Sequence, residues 1–192
     1  MTHRLIYVVG PSGAGKDSVL HQLREVWAGS PPAHWARRTI TRIPQAGGED
    51  NEYAEPGLFE RLQNAGEFAM HWHANSHAYG IRHQELAPLA RGHCVFVNGS
   101  RAHLPRVLAH WPEATVVQIT APLDVLRQRL HARNRESMQA ISDRLARHLD
   151  VELPTNAICI INEGSLDEAV ESLLVALQAR ISERLPLLPL MP

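Results

Sequence analysis

The sequence predicts an α/β protein: a parallel sheet flanked by helices on both faces. Three observations carry that expectation. Short apolar runs, LIYVV (5–9), CVFVN (94–98), TVVQIT (115–120) and AICII (157–161), are apolar on both sides of the strand rather than alternating. Each lies next to a stretch with apolar residues at helical spacing, and that alternation is the signature of a helix-covered parallel sheet. The third is a glycine-rich junction, GPSGAGK, that joins the first run to an amphipathic segment.

Taken in order, LIYVV is a buried strand by its length and β-branched content. It leads through the glycine loop into KDSVLHQLREVW, where Val19, Leu20, Leu23 and Val26 share a helical face. Residues 36–82 break the alternation. They are rich in Gly, Asn, Glu and His, with weaker periodicity, and read as an inserted substrate lobe. CVFVN and TVVQIT restore the strand pattern and are followed by RAHLPRVLAHW and PLDVLRQRLHARNRE. After AICII, the last helix, SLDEAVESLLVALQAR, opens with Ser165-x-x-Glu168, a capping box. The expected organisation is a single domain over 1–181, with the lobe at about 36–82 and a lid at about 127–147. A Pro-rich tail (182–192) without helix pattern ends the chain.

Composition narrows the function classes. The 192 residues are 44% apolar and 20% charged, enough for one full core. A net charge of −1 argues against a chain-wide polyanion binder, so no nucleic-acid partner is expected and any basic site must be local. No apolar run approaches the roughly 18 residues that span a bilayer, and the run in MTHRLIYVVG stops at the loop glycine, too early for a signal peptide. Cys94 and Cys159 sit inside apolar runs and read as buried thiols of a reducing compartment. These features predict a cytoplasmic protein, a monomer or homodimer, with no membrane partner.

The loop sets the chemistry. Gly10, Gly15 and Lys16 fit G-x-x-x-x-G-K-[ST], but Asp17 stands where the pattern has a magnesium-binding hydroxyl. Backbone N–H groups over 11–16 are expected to cradle phosphates at a helix N-terminus, with Lys16 reaching the β- and γ-phosphates. The nucleotide-binding set is Gly10, Pro11, Ser12, Gly13, Ala14, Gly15, Lys16, Asp17 and Ser18, for ATP as phosphoryl donor with Mg²⁺. Phosphoryl transfer also needs cations that follow the migrating charge. Arg127, Arg129, Arg133 and Arg135 occupy one helical stretch, and Arg144 follows. Such a charge run is usually a solvated face, and for Arg127 that reading stands equally well. Arg129 and Arg133, however, share a face at i,i+4, a repulsive pairing that an anion between them would relieve.

These pieces resemble the guanylate-kinase-like branch of the nucleoside monophosphate kinases, from about Leu5 to Leu177. GPSGAGK is similar to that branch's loop. TRIPQAGGEDNEY (41–53) resembles its acceptor-phosphate segment, GEFAMHWHANSHAYG (66–80) the segment ending in a phosphate-binding tyrosine, and RQRLHARNRES…ISDRL its arginine-bearing lid. The resemblance implies that Arg42, Tyr53 and Tyr79 hold the acceptor phosphate. It also implies that Arg129, Arg133 and Arg144 act with Lys16 on the transferring group. Departures are as informative. Gln45 replaces the family's second acceptor arginine, Arg38 stands where a small hydroxyl residue is usual, and Met70 replaces a base-reading glutamate. Asn98 and Ser100, in VNGS, replace aspartates at a strand end, where α/β proteins bind ligands. A buried methionine cannot accept from guanine N–H groups, and unmet polar groups carry a steep penalty.

Within that branch, GPSGAGKDS together with VNGSRAHLP (97–105) is similar to the ribose 1,5-bisphosphate phosphokinases associated with bacterial phosphonate breakdown. The resemblance implies phosphorylation of ribose 1,5-bisphosphate by ATP, giving 5-phospho-α-D-ribose 1-diphosphate and ADP. An acceptor with two phosphates and no base accounts for the additional Arg38 and the missing acids, with Arg38, Arg42, Tyr53, Tyr79, Asn98 and Ser100 as acceptor-binding residues. Its nucleophile is an ionised phosphate oxygen, so no general base is required. Two other readings stand beside it: a nucleoside monophosphate kinase of altered base specificity, and a non-catalytic guanylate-kinase-like interaction module. Modules of that kind tend to lose the loop lysine and lid arginines, which are present here. His71, His73 and His77 have a possible metal spacing but read as surface or substrate-lining residues. Asp17 is expected to supply the oxygen ligand for Mg²⁺. The competing reading is an acidic first-turn residue favoured by the helix dipole.

Overall fold

The first apolar run forms strand β1 (Leu5–Val9), buried at all five positions. It lies at the centre of a five-stranded sheet whose order is β2 (Ala33–Trp35), β7 (Cys94–Asn98), β1, β8 (Thr115–Thr120), β9 (Ile158–Ile161). Every neighbouring pair is parallel. The structure is a computed structural model describing residues 4–28, 31–43, 50–132 and 152–183. The lid from 133 onward, with Arg133 and Arg144, the acceptor segment 44–49 with Gln45, and the tail from 184 lie outside the described residues.

Alternation along β1 divides the core between the two faces of the sheet. Ile6 and Val8 pack beneath helices α1 (Lys16–Val26), α5 (Leu123–Ala132) and α6 (Leu166–Glu183), through Val19, Leu23, Leu126, Leu130, Leu173 and Leu177. Helix α6 starts where its capping box closes. The Ser165 N–H donates to Glu168 Oε2 at 3.0 Å and the Glu168 N–H to Ser165 Oγ at 3.2 Å. Leu5, Tyr7 and Val9 face the other way, against Leu104 and Val107 of α4 (Leu104–His110).

That second face also receives a second sheet, which anchors the site. Strands β3 (Arg38–Ile40), β4 (Asn51–Tyr53), β5 (Phe68–Ala74) and β6 (His77–Arg82) pair in the order β4-β3-β6-β5. Helix α2 (Pro56–Asn64) and the single-turn helix α3 (His83–Leu86) flank them in the chain. Its inner side chains, Ile40, Met70, Trp72, Tyr79 and Ile81, join the core of Leu5, Tyr7 and Val9. The β5–β6 hairpin turns on Asn75 and Ser76, both at positive φ (51° and 63°), the conformation of a two-residue hairpin turn. Within this sheet Arg82 donates to Glu52 Oε1 at 2.6 Å, and Thr39 Oγ1 donates to Glu52 Oε2 at 3.0 Å, tying β6, β4 and β3 together. Strands of three residues leave little period to read, which is why this lobe looks irregular in sequence.

Two local features differ from the sequence expectation. Ala33–Trp35 joins the main sheet as an edge strand although no strand was expected there. Cys159 is exposed, not buried, because β9 is the opposite edge and alternates buried and exposed residues. Cys94, on interior β7, is buried, and burial pushes its thiol pKa up to about 11.

Candidate active site

The carboxyl ends of β1, β7, β8 and β9 meet at one edge, and the phosphate loop leaves β1 there. Gly10 and Gly15 are required by contact. A Cβ on Gly10 would collide with the Ile119 carbonyl, and one on Gly15, at φ 82°, would lie 2.5 Å from Asn162 Nδ2. Lys16 Nζ donates to the carbonyls of Gly10 (2.9 Å) and Pro11 (3.1 Å), so the loop's own oxygens hold the amine at its mouth. Sequence reasoning missed Asn162, the residue that holds the loop from behind. Buried at the end of β9, it donates from Nδ2 to the Ala14 carbonyl at 2.8 Å and from its backbone N–H to Thr120 at 2.7 Å. Its carbonyl accepts from Arg129 Nη1 at 3.0 Å, which brings Arg129 of α5 against the loop. Arg127, on the same helix, is exposed. The only signal for Asn162 in the sequence was its place immediately after an apolar strand.

On the other side, Asp17 meets Asn98 and Arg38. Asn98 Nδ2 donates to Asp17 Oδ1 at 2.7 Å, and Arg38 Nη2 approaches the same oxygen at 3.9 Å. Arg38 Nη1 donates to the Asn98 carbonyl at 3.4 Å, and its guanidinium lies 5.5 Å from the centre of the Tyr79 ring. Arg38 and Asn98 are buried, whereas the Asp17 side chain is 56% exposed beside the loop. One contact series therefore links the loop to three expected acceptor residues: Asn98, Arg38 and Tyr79. Asn98 reaches the carboxylate through its amide, a positioning contact rather than only an acceptor contact. Met70 is 2% exposed and lies in the core.

Ser100 is fixed by a residue the sequence did not single out. Tyr7, fully buried, accepts from the Ser100 N–H at 3.0 Å and donates to its carbonyl at 3.2 Å. Burial holds the Tyr7 phenol far above its ordinary pKa, so it remains a neutral donor and acceptor. Its ring fills the space that a side chain at position 99 would need, hence Gly99. Arg42 and Tyr53 are exposed, and neither is joined by a hydrogen bond or ion pair to this cluster among the described residues. Ser18 and Asp17 border a cavity of about 670 Å³, whose other walls include His21, Trp35, Arg37 and Phe96. It adjoins the site through Asp17 and Asn98 and otherwise follows α1 and β2.

The Asp17 carboxylate fits magnesium. It is a hard oxygen donor, half exposed and held at one oxygen by Asn98, and Mg²⁺ commonly takes one or two carboxylates with substrate phosphates and water. Among the described residues no group of three or more His, Cys, Asp and Glu side chains could hold a metal ion. Among them, too, no helix is long and apolar enough to cross a membrane.

Comparison with known proteins places this geometry. No family model matches the chain. The fold is shared with guanylate kinase from Anaplasma phagocytophilum, with a TM-score of 0.69 over 95% of this chain and 87% of that one, at 15% identity. In sequence, the chain is 44% identical to ribose 1,5-bisphosphate phosphokinase PhnN of Pseudomonas paraeruginosa, over 91% of its own length and 95% of the relative's. It is 43% identical to the protein of the same name from Azotobacter vinelandii, over 94% and 98% of the two chains. With identity of that degree over nearly the full length of both partners, this chain belongs to the ribose 1,5-bisphosphate phosphokinase family.

Proposed function

We propose that this protein transfers the γ-phosphoryl group of ATP to ribose 1,5-bisphosphate, giving 5-phospho-α-D-ribose 1-diphosphate and ADP. The reaction belongs to phosphonate degradation in the cytoplasm. An oxygen of the acceptor's 1-phosphate attacks the γ-phosphorus. The bond from that phosphorus to the bridging oxygen breaks, and ADP leaves with the electron pair. The attacking oxygen is ionised at neutral pH, so no side chain must remove a proton. Residues 10–18 bind the donor: the loop N–H groups take its phosphates at the start of α1, and Lys16 Nζ exchanges the Gly10 and Pro11 carbonyls for phosphate oxygens. Arg129, held against the loop through Asn162, is assigned to the charge that develops on transfer, and the family resemblance assigns Arg133 and Arg144 to the same role. Asp17 holds Mg²⁺, which neutralises charge on the β- and γ-phosphates when bound. Arg38, Tyr79, Asn98 and Ser100, with Arg42 and Tyr53, hold the acceptor.

The observation that carries this reading is Arg38. It is buried, yet aimed at Asp17 and Asn98 from a sheet that presents Met70 to the core. A buried cation beside the phosphate loop, with no base-reading carboxylate at position 70, suits a phosphorylated acceptor without a guanine. The test is Arg38→Met assayed for ADP release with ribose 1,5-bisphosphate. A loss of kcat/KM of about tenfold or more is expected from a lost charge-assisted bidentate contact. Unchanged kinetics would remove Arg38 from the acceptor site.

A further inference from the structure

The chain passes from the main sheet to the second sheet at Ala36 and Arg37, between β2 and β3, and returns to β7 through residues 83–93. A single side chain ties the outgoing crossing to the returning one. Glu85, in α3 on the return, accepts from the Arg37 N–H through Oε2 at 2.9 Å. His34 Nε2, in β2 of the main sheet, lies 2.8 Å from the same oxygen. One residue earlier, the Ala36 N–H donates to the Phe96 carbonyl of β7 at 2.9 Å. The two peptide groups that lead into Arg38 are thus fixed in succession, one by the main sheet and one by Glu85.

The Glu85 side chain is only 15% exposed, and a carboxylate so covered needs donors brought to it. Those it has are a ring nitrogen of the main sheet and the peptide N–H next to Arg38. Arg38 in turn pairs in register with Ile81 of β6, four residues before Glu85, so clamp and cation lie on neighbouring stretches of the same two strands. The contacts that Arg38 makes at the site are long ones. Its Nη2 lies 3.9 Å from Asp17 Oδ1, and its Nη1 donates to the Asn98 carbonyl at 3.4 Å. At such lengths a shift of about half an ångström decides whether the guanidinium engages its partners.

We propose that Glu85 is a positioning residue for Arg38. By holding the Arg37 N–H it sets the direction in which Arg38 leaves the backbone, and with it the approach of the guanidinium to Asp17. His34 completes the clamp by fixing the carboxylate from the main sheet. Glu85 acts through Arg38 and touches neither nucleotide nor acceptor. That Arg38 meets the acceptor rests on the function proposed above; that Glu85 sets Arg38 rests on the hydrogen bonds.

Three variants test the clamp. Glu85→Ala removes the oxygen, Glu85→Asp keeps the charge but draws it back by one methylene, and Glu85→Gln keeps an oxygen at the same reach. Thermal unfolding checks that each folds, and Glu85→Asp, the milder change, carries the test if Glu85→Ala does not. The side-chain Nε–Hε resonance of Arg38, assigned by its loss in Arg38→Met, is followed by NMR without substrates. It should move in Glu85→Ala and Glu85→Asp and stay near its wild-type position in Glu85→Gln. With ribose 1,5-bisphosphate, the acceptor KM should rise about fivefold or more in Glu85→Ala and Glu85→Asp, while the ATP KM stays within about twofold. Added to Arg38→Met, the same changes should cost less than about twofold, because no cation is left to position. An Arg38 resonance at its wild-type position in Glu85→Ala or Glu85→Asp overturns the positioning role. So does an acceptor KM that rises equally with and without Arg38. If the resonance moves while Arg38→Met leaves the kinetics unchanged, Glu85 still sets Arg38 and the acceptor role of Arg38 falls.

Discussion

Replacing Asn162 tests how the phosphate loop is held. The amide donates to the Ala14 carbonyl at 2.8 Å from a residue that is 4% exposed. In a planar trans peptide the carbonyl and the following N–H point in opposite directions. Drawing the Ala14 oxygen toward Asn162 therefore turns the Gly15 N–H toward the phosphates. Asn162→Ala leaves that buried carbonyl without its partner, a cost of about 1–3 kcal/mol. For a chain of this size each kcal/mol lowers Tm by about 2–4 °C, so a fall of about 2–12 °C is expected by scanning calorimetry. ATP affinity, measured by titration of the nucleotide alone, should weaken about tenfold as the Gly15 N–H loses its orientation. Asn162→Asp keeps the shape but sets a carboxylate oxygen against the Ala14 carbonyl and adds negative charge behind a loop meant for phosphates. It should bind ATP more weakly still, by about another tenfold, despite being the more conservative change in volume. Wild-type Tm and ATP affinity in Asn162→Ala, or equal ATP affinity in the two variants, would refute this account of the loop.

Further outcomes follow from the same geometry. Asp17→Ala should raise the Mg²⁺ concentration needed for half-maximal activity, and Asp17→Ser should restore part of it; an unchanged Mg²⁺ titration in both would show that the carboxylate does not hold the ion. Tyr7→Phe removes both hydrogen bonds to Ser100 and should cost about 1–3 kcal/mol of stability, read in urea unfolding, while raising the acceptor KM more than the ATP KM. Stability should fall on acidification through the window from 6.5 to about 4. The unfolded His103 binds a proton across that range, whereas the folded residue stays neutral, and His71 shifts in the same direction. His103→Gln should flatten that pH dependence, and an identical curve would assign it to other groups.

The main sheet was legible because its strands are apolar on both faces and its loop follows the first of them. LIYVV, CVFVN and TVVQIT occupy Leu5–Val9, Cys94–Asn98 and Thr115–Thr120. The second sheet was not legible as strands, since β3 and β4 are three residues long and their partners are distant in sequence. Within the site, Lys16, Asp17 and Arg129 could be singled out because their neighbours along the chain form recognisable patterns, and the structure sets all three around the loop: Lys16 on the Gly10 and Pro11 carbonyls, Asp17 on Asn98 and Arg129 on Asn162. Arg38, Tyr79 and Asn98 were read through family resemblance, and the structure adds that they touch in series from Asp17. Asn162 and Tyr7 escaped because their roles arise from contacts 148 and 93 residues away in the chain. No local pattern marks an asparagine as the support of a distant carbonyl, or a strand tyrosine as the clamp on a later turn.

The central claim, that the acceptor is a sugar bearing two phosphates and no base, is tested most directly by one acceptor panel. The purified protein is given ATP and Mg²⁺, and ADP release is followed with ribose 1,5-bisphosphate, ribose 5-phosphate, GMP and AMP in separate reactions. Rapid turnover of ribose 1,5-bisphosphate with formation of 5-phospho-α-D-ribose 1-diphosphate, and little or none of GMP, is the predicted result. Efficient turnover of GMP with ribose 1,5-bisphosphate inert would contradict it.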